Sequence, residues 1–246
     1  VGWRTLARGL SDIAAMGGVP RAAVVSLGAP GGLGVDFCRE LYRGMDEAAR
    51  RFDCGIAGGD TVGSKRGLAV SVAMLGEVER ERLVLRSGAR PGDGLWVTGW
   101  LGGSLAGKHL AFTPRVHEAR FLVERFPVTA MMDLSDGLGS DLFRMAEASE
   151  AGFRLCAGRI PVDRAAIGDA DEETLLRRAL YDGEDFELLA AVAPSVDDAV
   201  VKEAFDARFD CGIRRIGTVM GKAHGITLST PEGERPLIEG GFAHLA

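Results

Sequence analysis

The sequence predicts a mixed α/β fold, of the α+β kind, divided into two unequal pieces. Short apolar runs typical of strands alternate with helical patterns along the 246 residues. The alternation stops in the segment 86–93, where Gly88, Pro91 and Gly92 interrupt any regular element. It restarts at residue 94 with a new strand pattern. We therefore expect one domain over residues 1–86 and a second over residues 87–246.

The first piece is predicted to hold two helices and three strands. Ser11 is the expected N-cap of a short helix over 11–17, because its hydroxyl can accept an amide hydrogen of the first turn. Helical spacing of apolar residues from Phe37 onward predicts a second helix over 36–52. Apolar runs bounded by turn-forming residues predict strands over 22–27, 54–57 and 68–78.

The second piece continues the same alternation. It begins with a predicted strand over 94–98, a glycine-rich turn over 99–103 and a helix over 104–110. Further strands are predicted over 129–134, 152–156, 186–192, 213–219 and 226–229. Helices are predicted between them over 116–125, 138–149, 172–181 and 196–209.

The composition excludes several classes of protein. The formal net charge of −6 argues against a nucleic-acid-binding protein, which needs a basic face for phosphate contacts. The four cysteines are scattered singly, so neither a zinc site nor a disulfide framework is indicated, and a reducing cytosol fits best. No apolar run approaches the length of a membrane-spanning helix, and the first residues lack the plan of a signal peptide. We expect a soluble, cytoplasmic protein.

Common catalytic motifs are missing from the sequence. The turn Gly-Gly-Ser-Leu-Ala at 102–106 lacks the second glycine that a nucleophile elbow needs. Neither a GxxxxGK[ST] phosphate loop nor a GxGxxG dinucleotide fingerprint occurs, and the four histidines fall at no metal-ligand spacing. Histidine chemistry is therefore not expected.

Aspartates recur instead beside glycine or hydroxyl residues at the ends of predicted elements. They stand at Asp12, in Gly-Gly-Asp-Thr at 58–61, in Asp-Leu-Ser-Asp-Gly at 133–137 and in Asp-Gly-Glu-Asp at 182–185. Mg²⁺ prefers carboxylate oxygens and is usually shared with substrate phosphates, while glycines let backbone amides approach phosphate oxygens. Each cluster alone also fits an ordinary helix cap or turn. Together they favour a site where Mg²⁺ and phosphates meet.

Six segments resemble those of thiamine-monophosphate kinases and occur in the same order. The first reads Leu-Ser-Asp-Ile-Ala-Ala-Met-Gly-Gly-Val-Pro at 10–20. The others are the segments 58–61, 86–93, 132–138 and 183–189, and the closing Gly-Phe-Ala-His at 241–244. The likeness runs from Gly2 to the end of the chain. It implies the two-domain aminoimidazole ribonucleotide synthetase-like fold, usually found as a homodimer with the nucleotide site at the subunit junction.

The resemblance also implies roles for individual residues. Transfer of the γ-phosphoryl group of ATP to thiamine monophosphate would use several Mg²⁺ ions, with no strong general base. The metal ligands would be Asp12, Asp60, Asp133 and Asp136. The ATP contacts would be Gly59, Asp60, Arg86 and Ser135. Glu184 would contact the thiamine part of the acceptor, and Phe242 would pack on its ring.

Alternatives remain within the same superfamily. Aminoimidazole ribonucleotide synthetase typically has glutamate where Asp60 stands, and the hydrogenase-maturation protein ends in a reactive cysteine that this chain lacks. Family members also carry several dozen residues before the position of Val1, with further metal and substrate ligands. We expect either a fragment or a shortened homologue with an incomplete first domain, which would be less stable than a longer version and slow or inactive as a kinase. A nucleotide-binding remnant is the non-enzymatic alternative.

Overall fold

The first part of the chain is a three-stranded sheet with two helices. The computed structural model describes residues 1–242. Residues 243–246, which include the last two positions of the closing motif, lie outside the described residues. The elements in chain order are α1 Gly2–Ala15, β1 Val19–Pro30, α2 Val35–Arg51, β2 Gly55–Ser64 and β3 Ala69–Glu77. Strand β1 lies in the middle, parallel to β2 and antiparallel to β3.

The three-stranded sheet is buried on one face only. Its inner face, with Val25 and Leu27 of β1, packs in one core with apolar residues of α1 and α2 such as Leu6 and Met45. The alternate residues of β1 and β3 are exposed, as the period of a half-buried strand requires. The sheet therefore presents an open outer face.

The second part is a seven-stranded sheet with helices. Its elements are β4 Gly94–Thr98, α3 Lys108–Ala111, α4 Val116–Arg125, β5 Val128–Asp133, α5 Leu138–Ser149, β6 Ala151–Cys156, α6 Arg164–Ile167, α7 Glu172–Tyr181, β7 Leu188–Val192, α8 Asp198–Asp206, β8 Ile213–Gly221, β9 Ile226–Thr230 and β10 Gly233–Pro236. The strand order is β10-β9-β6-β8-β4-β7-β5, antiparallel except between β6 and β9. Strand β5 is one edge of this sheet.

Helix α1 connects the two parts. Its buried residues Leu10 and Ala14 belong to the same apolar cluster as Leu122 of α4 and Met131 of β5. This packing lays the last turns of α1 beside the end of β5. As a result, two of the sequence motifs that contain aspartate come together.

The structure corrects three expectations about the elements. Ser11 is not a helix cap, because α1 already begins at Gly2 and an apolar stripe that includes Leu6 continues through it. Strand β2 does not end before Gly58 but runs on to Ser64, paired with β1. The expected helix over 104–110 is split at Gly107, whose φ of 149° breaks the helical path.

Two short elements were not expected at all. Helix α6 has four residues and is capped by Asp163, and strand β10 has four residues and pairs with β9. Neither is long enough to show a periodic pattern in the sequence. Among the described residues, no helix is both long and apolar enough to cross a membrane.

Candidate active site

The junction of α1 and β5 holds a pair of neighbouring carboxylates. Asp12 lies near the end of α1, and Asp133 is the last residue of β5. The buried Ser11 donates a hydrogen bond from Oγ to Asp133 Oδ2 at 2.5 Å. Since Ser11 and Asp12 are consecutive, this bond fixes Asp133 beside Asp12.

Burial raises the pKa of both carboxylates, and the charge of Asp12 adds to the rise at Asp133. Burial raises the pKa of Asp133 to about 7, the hydrogen bond from Ser11 opposes this rise, and the charges of Asp12 and Asp141 add to it. Desolvation also raises the pKa of Asp12 although that side chain is exposed, with Arg8 and Arg86 acting in the opposite direction. Within the described part of the chain, neither carboxylate has a basic group at ion-pair distance. A bound cation would relieve this arrangement.

The donor set suits a hard cation but is incomplete by itself. Asp12 and Asp133 offer the carboxylate oxygens that Mg²⁺ prefers. In residues 1–242, however, no three acidic, histidine or cysteine side chains come close enough together to hold a metal ion. Such a pair fits a Mg²⁺ ion that takes its remaining oxygens from substrate phosphates, water or a further carboxylate.

A buried carboxylate binds the backbone of the loop between β5 and α5. Asp141 Oδ2 accepts hydrogen bonds from the backbone amides of Ser135 and Asp136, both at 3.0 Å. Burial raises the pKa of Asp141 to about 6, partly offset by those amide bonds and by Arg144. Arg144 Nη1 also lies 2.7 Å from Asp136 Oδ2, so the carboxylate of Asp136 is ion-paired in this structure.

Glu184 is fixed against this loop by its backbone. Its amide donates to the Ser135 carbonyl at 2.8 Å, and its own carbonyl accepts from Ser104 Oγ at 2.5 Å. Its φ is 60°, a conformation that a residue with a side chain adopts only when the surroundings impose it. The carboxylate Oε2 lies 2.5 Å from Nη2 of Arg4 on α1.

Phe242 reaches the same loop from the end of the described chain. Its amide donates to the Asp136 carbonyl at 3.0 Å. A Cβ on Gly241 would lie 2.3 Å from that carbonyl oxygen, so only glycine allows this approach. Phe242 is 59% exposed.

Two carboxylates beside Glu184, the partly buried Asp182 and the buried Asp185, hold the glycine-rich turn that follows β4. Asp182 accepts from the amide of Gly103, and Asp185 accepts from that of Gly102 with both oxygens. Burial raises the pKa of Asp185 to about 7, with Lys108 and the Gly102 amide acting against it. These carboxylates stabilise the backbone around Glu184.

Glu187 is the centre of a buried ionic cluster. Arg115 donates to both of its carboxylate oxygens, at 2.7 and 2.8 Å, and Lys108 and Thr98 donate to it at 2.8 Å. Burial alone would raise the pKa of Glu187, but Arg115 and Lys108 hold it below the ordinary value. From the sequence, Asp185 is expected only as part of the acidic cluster at 182–185, and Glu187 has no expected role. A signal was present, because these two carboxylates interrupt an apolar run that leads into β7.

Three predicted residues lie at or beyond the edge of this group. Arg86 is exposed in the segment between the domains and acts on the charge of Asp12. Gly59 and Asp60 lie on β2, where a Cβ on Gly59 would come 1.8 Å from the Val25 carbonyl oxygen. Asp60 is exposed, and its Oδ1 accepts from the amide of the next residue at 2.8 Å. A cluster that joins Asp60 to Asp12 and Asp133 stays a prediction.

The fold and these motifs define a class of protein. Residues 1–78 match the N-terminal domain family of AIR synthase related proteins, and residues 87–228 match the corresponding C-terminal domain family. The first match covers the three-stranded sheet, and the second covers the seven-stranded sheet from β4 to the start of β9. They assign the chain to the two-domain AIR synthase related proteins.

Individual relatives narrow this class. The thiamine-monophosphate kinase of Rhodopirellula baltica is 40% identical over 248 residues, which cover 99% of this chain and 76% of that protein. The enzyme of the same name from Bacillus subtilis is 33% identical over 269 residues, 99% of this chain and 81% of that protein. The solved structure of AaThiL complexed with AMPPCP and TMP has a TM-score of 0.83 at 27% identity, and the match covers 99% of this chain and 80% of that one. The chain belongs to the thiamine-monophosphate kinase family.

Proposed function

We propose that this chain transfers the γ-phosphoryl group of ATP to the phosphate of thiamine monophosphate, giving thiamine diphosphate. The observation that carries the proposal is the meeting of three separate motifs at one loop. The loop 134–137 follows Asp133, contacts Glu184 through the Ser135 carbonyl and contacts Phe242 through the Asp136 carbonyl. Metal-ligand candidates and acceptor candidates thus surround the same few backbone atoms.

The chemistry needs positioning and charge neutralisation more than proton transfer. The acceptor is a phosphate oxygen that is already anionic at neutral pH, so no general base is assigned to any residue. Asp12, Asp60, Asp133 and Asp136 would hold Mg²⁺. Bound there, Mg²⁺ would neutralise the charge of the transferring phosphoryl group. Gly59, Asp60, Arg86 and Ser135 would bind ATP. In keeping with this, the relative AaThiL was solved with AMPPCP, which carries a methylene group in place of an ATP bridging oxygen.

Glu184 and Phe242 would bind the organic part of the acceptor. Thiamine carries a cationic thiazolium ring and a flat aminopyrimidine ring, for which a carboxylate and an aromatic face are suitable partners. Glu184 and Phe242 both contact the loop 134–137 through their backbones, which supports this assignment. The relative AaThiL was solved with TMP.

A homodimer would complete the site. The outer face of the three-stranded sheet exposes Val24, Val62 and Leu75, each at least 40% exposed, and such a surface favours an apolar partner. Asp60 pairs in register with the exposed Ser26, so its side chain shares this face. A second copy packed here would bring Asp60 into a subunit junction. This would account for the finding that, within one chain, Asp60 does not join the carboxylates of Asp12 and Asp133. We also retain the domain boundary at residue 86 and a cytoplasmic location as proposals.

A direct assay of the product tests the proposed reaction. The chain is supplied with ATP, Mg²⁺ and thiamine monophosphate, and thiamine diphosphate is measured directly by chromatography. We expect the diphosphate to form only when all three are present. Release of ADP without thiamine diphosphate would instead indicate a different acceptor, and unchanged ATP would indicate a nucleotide-binding protein without kinase activity.

A further inference from the structure

The ion pair of Arg4 and Glu184 has an unusual incomplete geometry. Arg4 Nη2 contacts Glu184 Oε2 end-on at 2.5 Å, and the two side chains are 32% and 24% exposed. Arg4 Nε is the single buried side-chain nitrogen or oxygen without a hydrogen-bond partner among residues 1–242. Native structures rarely leave a buried donor unpaired, and each exception calls for an explanation. The guanidinium is therefore held by Glu184 while part of its hydrogen-bonding capacity is unused.

Both partners of the pair are fixed by their backbones. Arg4 lies within α1, whose neighbouring Trp3 donates from its ring nitrogen to the Phe112 carbonyl at 2.7 Å. Glu184 is held by the Ser135 carbonyl and the Ser104 hydroxyl. The pair thus presents a donor and an acceptor side by side in a set geometry, with about a quarter to a third of each side chain open to solvent.

Helix geometry places the Arg4–Glu184 pair at the opposite end of α1 from Asp12. Arg4, Arg8 and Asp12 are four residues apart and share one face of α1. With a rise of 1.5 Å per residue, Arg4 and Asp12 lie about 12 Å apart along the helix axis. The Asp12 end is the proposed metal and phosphate end. A phosphorylated acceptor that reaches it would place the part remote from its phosphate against Arg4 and Glu184.

We infer that Arg4 is a specificity-determining residue that reads the aminopyrimidine edge of the acceptor together with Glu184. The inference rests on the proposed function. An aminopyrimidine presents an amino group, which donates, next to a ring nitrogen, which accepts. Glu184 accepts from the amino group, and a terminal guanidinium nitrogen of Arg4 donates to the adjacent ring nitrogen, since Nε is buried. The pair therefore offers one donor, Arg4, and one acceptor, Glu184, to a ring edge that carries one acceptor and one donor.

Analogues of the acceptor separate this role from a merely structural one. The probes are thiamine monophosphate and an analogue in which CH replaces the ring nitrogen next to the amino group. The dissociation constant of each is measured by titration calorimetry without ATP. For the unsubstituted chain we expect the analogue to bind about tenfold more weakly, because one hydrogen bond of about 1.4 kcal/mol is lost. The variant Arg4→Met should bind both probes equally weakly.

Further variants guard against a general loss of structure. Arg4→Lys keeps a donor and should retain part of the discrimination between the two probes. Arg43→Met, which removes an exposed partner of Glu40 on α2, should keep all of it. Equal binding of the two probes to the unsubstituted chain, or tenfold discrimination that persists in Arg4→Met, would overturn the inference and leave the proposed function intact. Failure of the unsubstituted chain to bind thiamine monophosphate would overturn the proposed function as well.

Discussion

Ser11 on α1 donates a hydrogen bond to Asp133 at the end of β5, although 122 positions separate the two residues in the chain. The bond joins the first domain to the edge strand of the second. It also sets Asp133 beside Asp12, the neighbour of Ser11, so two carboxylates share one partly desolvated space. The pKa of Asp133 is thus raised at the place where we propose that Mg²⁺ and phosphates bind.

Replacement of Phe242 should affect one substrate and not the other. Phe242→Ala removes an exposed ring, so we expect the KM for thiamine monophosphate to rise about tenfold while the KM for ATP changes little. Ile238→Ala, at a neighbouring exposed position, is the matched control and should change neither constant. Equal increases in both KM values, together with a lowered Tm, would mean that Phe242 is a structural residue.

The buried ionic cluster should be important for stability. Glu187→Gln leaves Arg115 and Lys108 without their shared carboxylate, and we expect a loss of about 3–5 kcal/mol in the free energy of unfolding. Urea titration measures this loss. Glu172→Gln breaks an exposed ion pair with Arg164 and should change the midpoint little. Similar urea midpoints for the two variants would contradict a large contribution of Glu187 to stability.

Asp185 should make the stability depend on pH. Its pKa is raised to about 7 in the folded chain, above the value of an exposed aspartate. Between about pH 4 and pH 7 the folded state therefore keeps a proton that the unfolded state has lost, so stability falls as the pH rises. Asp185→Asn should remove up to about 1.4 kcal/mol per pH unit of this slope. Urea titrations at pH 5 and pH 7 measure it, and an unchanged slope would refute the assignment.

The outer face of the first sheet should control the oligomeric state. Leu75→Glu places a charge on this face, and we expect it to convert a dimer to a monomer and to lower the kinase activity together. Light scattering coupled to size exclusion measures the mass. Val200→Glu, on the exposed side of α8, is the control and should leave both mass and activity unchanged. A Leu75→Glu variant that stays dimeric would place the interface elsewhere.

Much of the fold could be predicted because local signals agree with the tertiary structure. The elements α4, α5 and α7 have the bounds that apolar spacing predicted, and β4 matches as well. Strand β2 was predicted too short because Gly58 and Gly59 normally end a strand, whereas pairing with β1 keeps them extended. The sequence predicts the start of α1 at residue 11 instead of Gly2, because a serine before an apolar run resembles an N-cap.

The site could be predicted only in part. The family resemblance supplied the residues, but no local pattern places Ser11 on Asp133 or Arg4 on Glu184, because these contacts depend on how α1 packs over β5. The sequence does not predict that Asp185 binds the Gly102 amide or that Glu187 is buried with Arg115, because charged residues are expected at the surface. The joining of Asp60 to the other aspartates stays a prediction that depends on a second copy of the chain.

The most direct test of the account measures how thiamine diphosphate formation depends on Mg²⁺ in two variants. Asp133→Asn replaces a carboxylate of the proposed metal site, and Asp36→Asn replaces an exposed carboxylate on α2. We predict Mg²⁺-dependent formation of thiamine diphosphate, even if slow, by the unsubstituted chain and by Asp36→Asn. In Asp133→Asn the rate should fall by about 100-fold or more, as expected for loss of charge stabilisation in the transition state. Equal rates in Asp133→Asn and Asp36→Asn at every Mg²⁺ concentration would contradict the proposal that Asp133 binds Mg²⁺ in the kinase reaction.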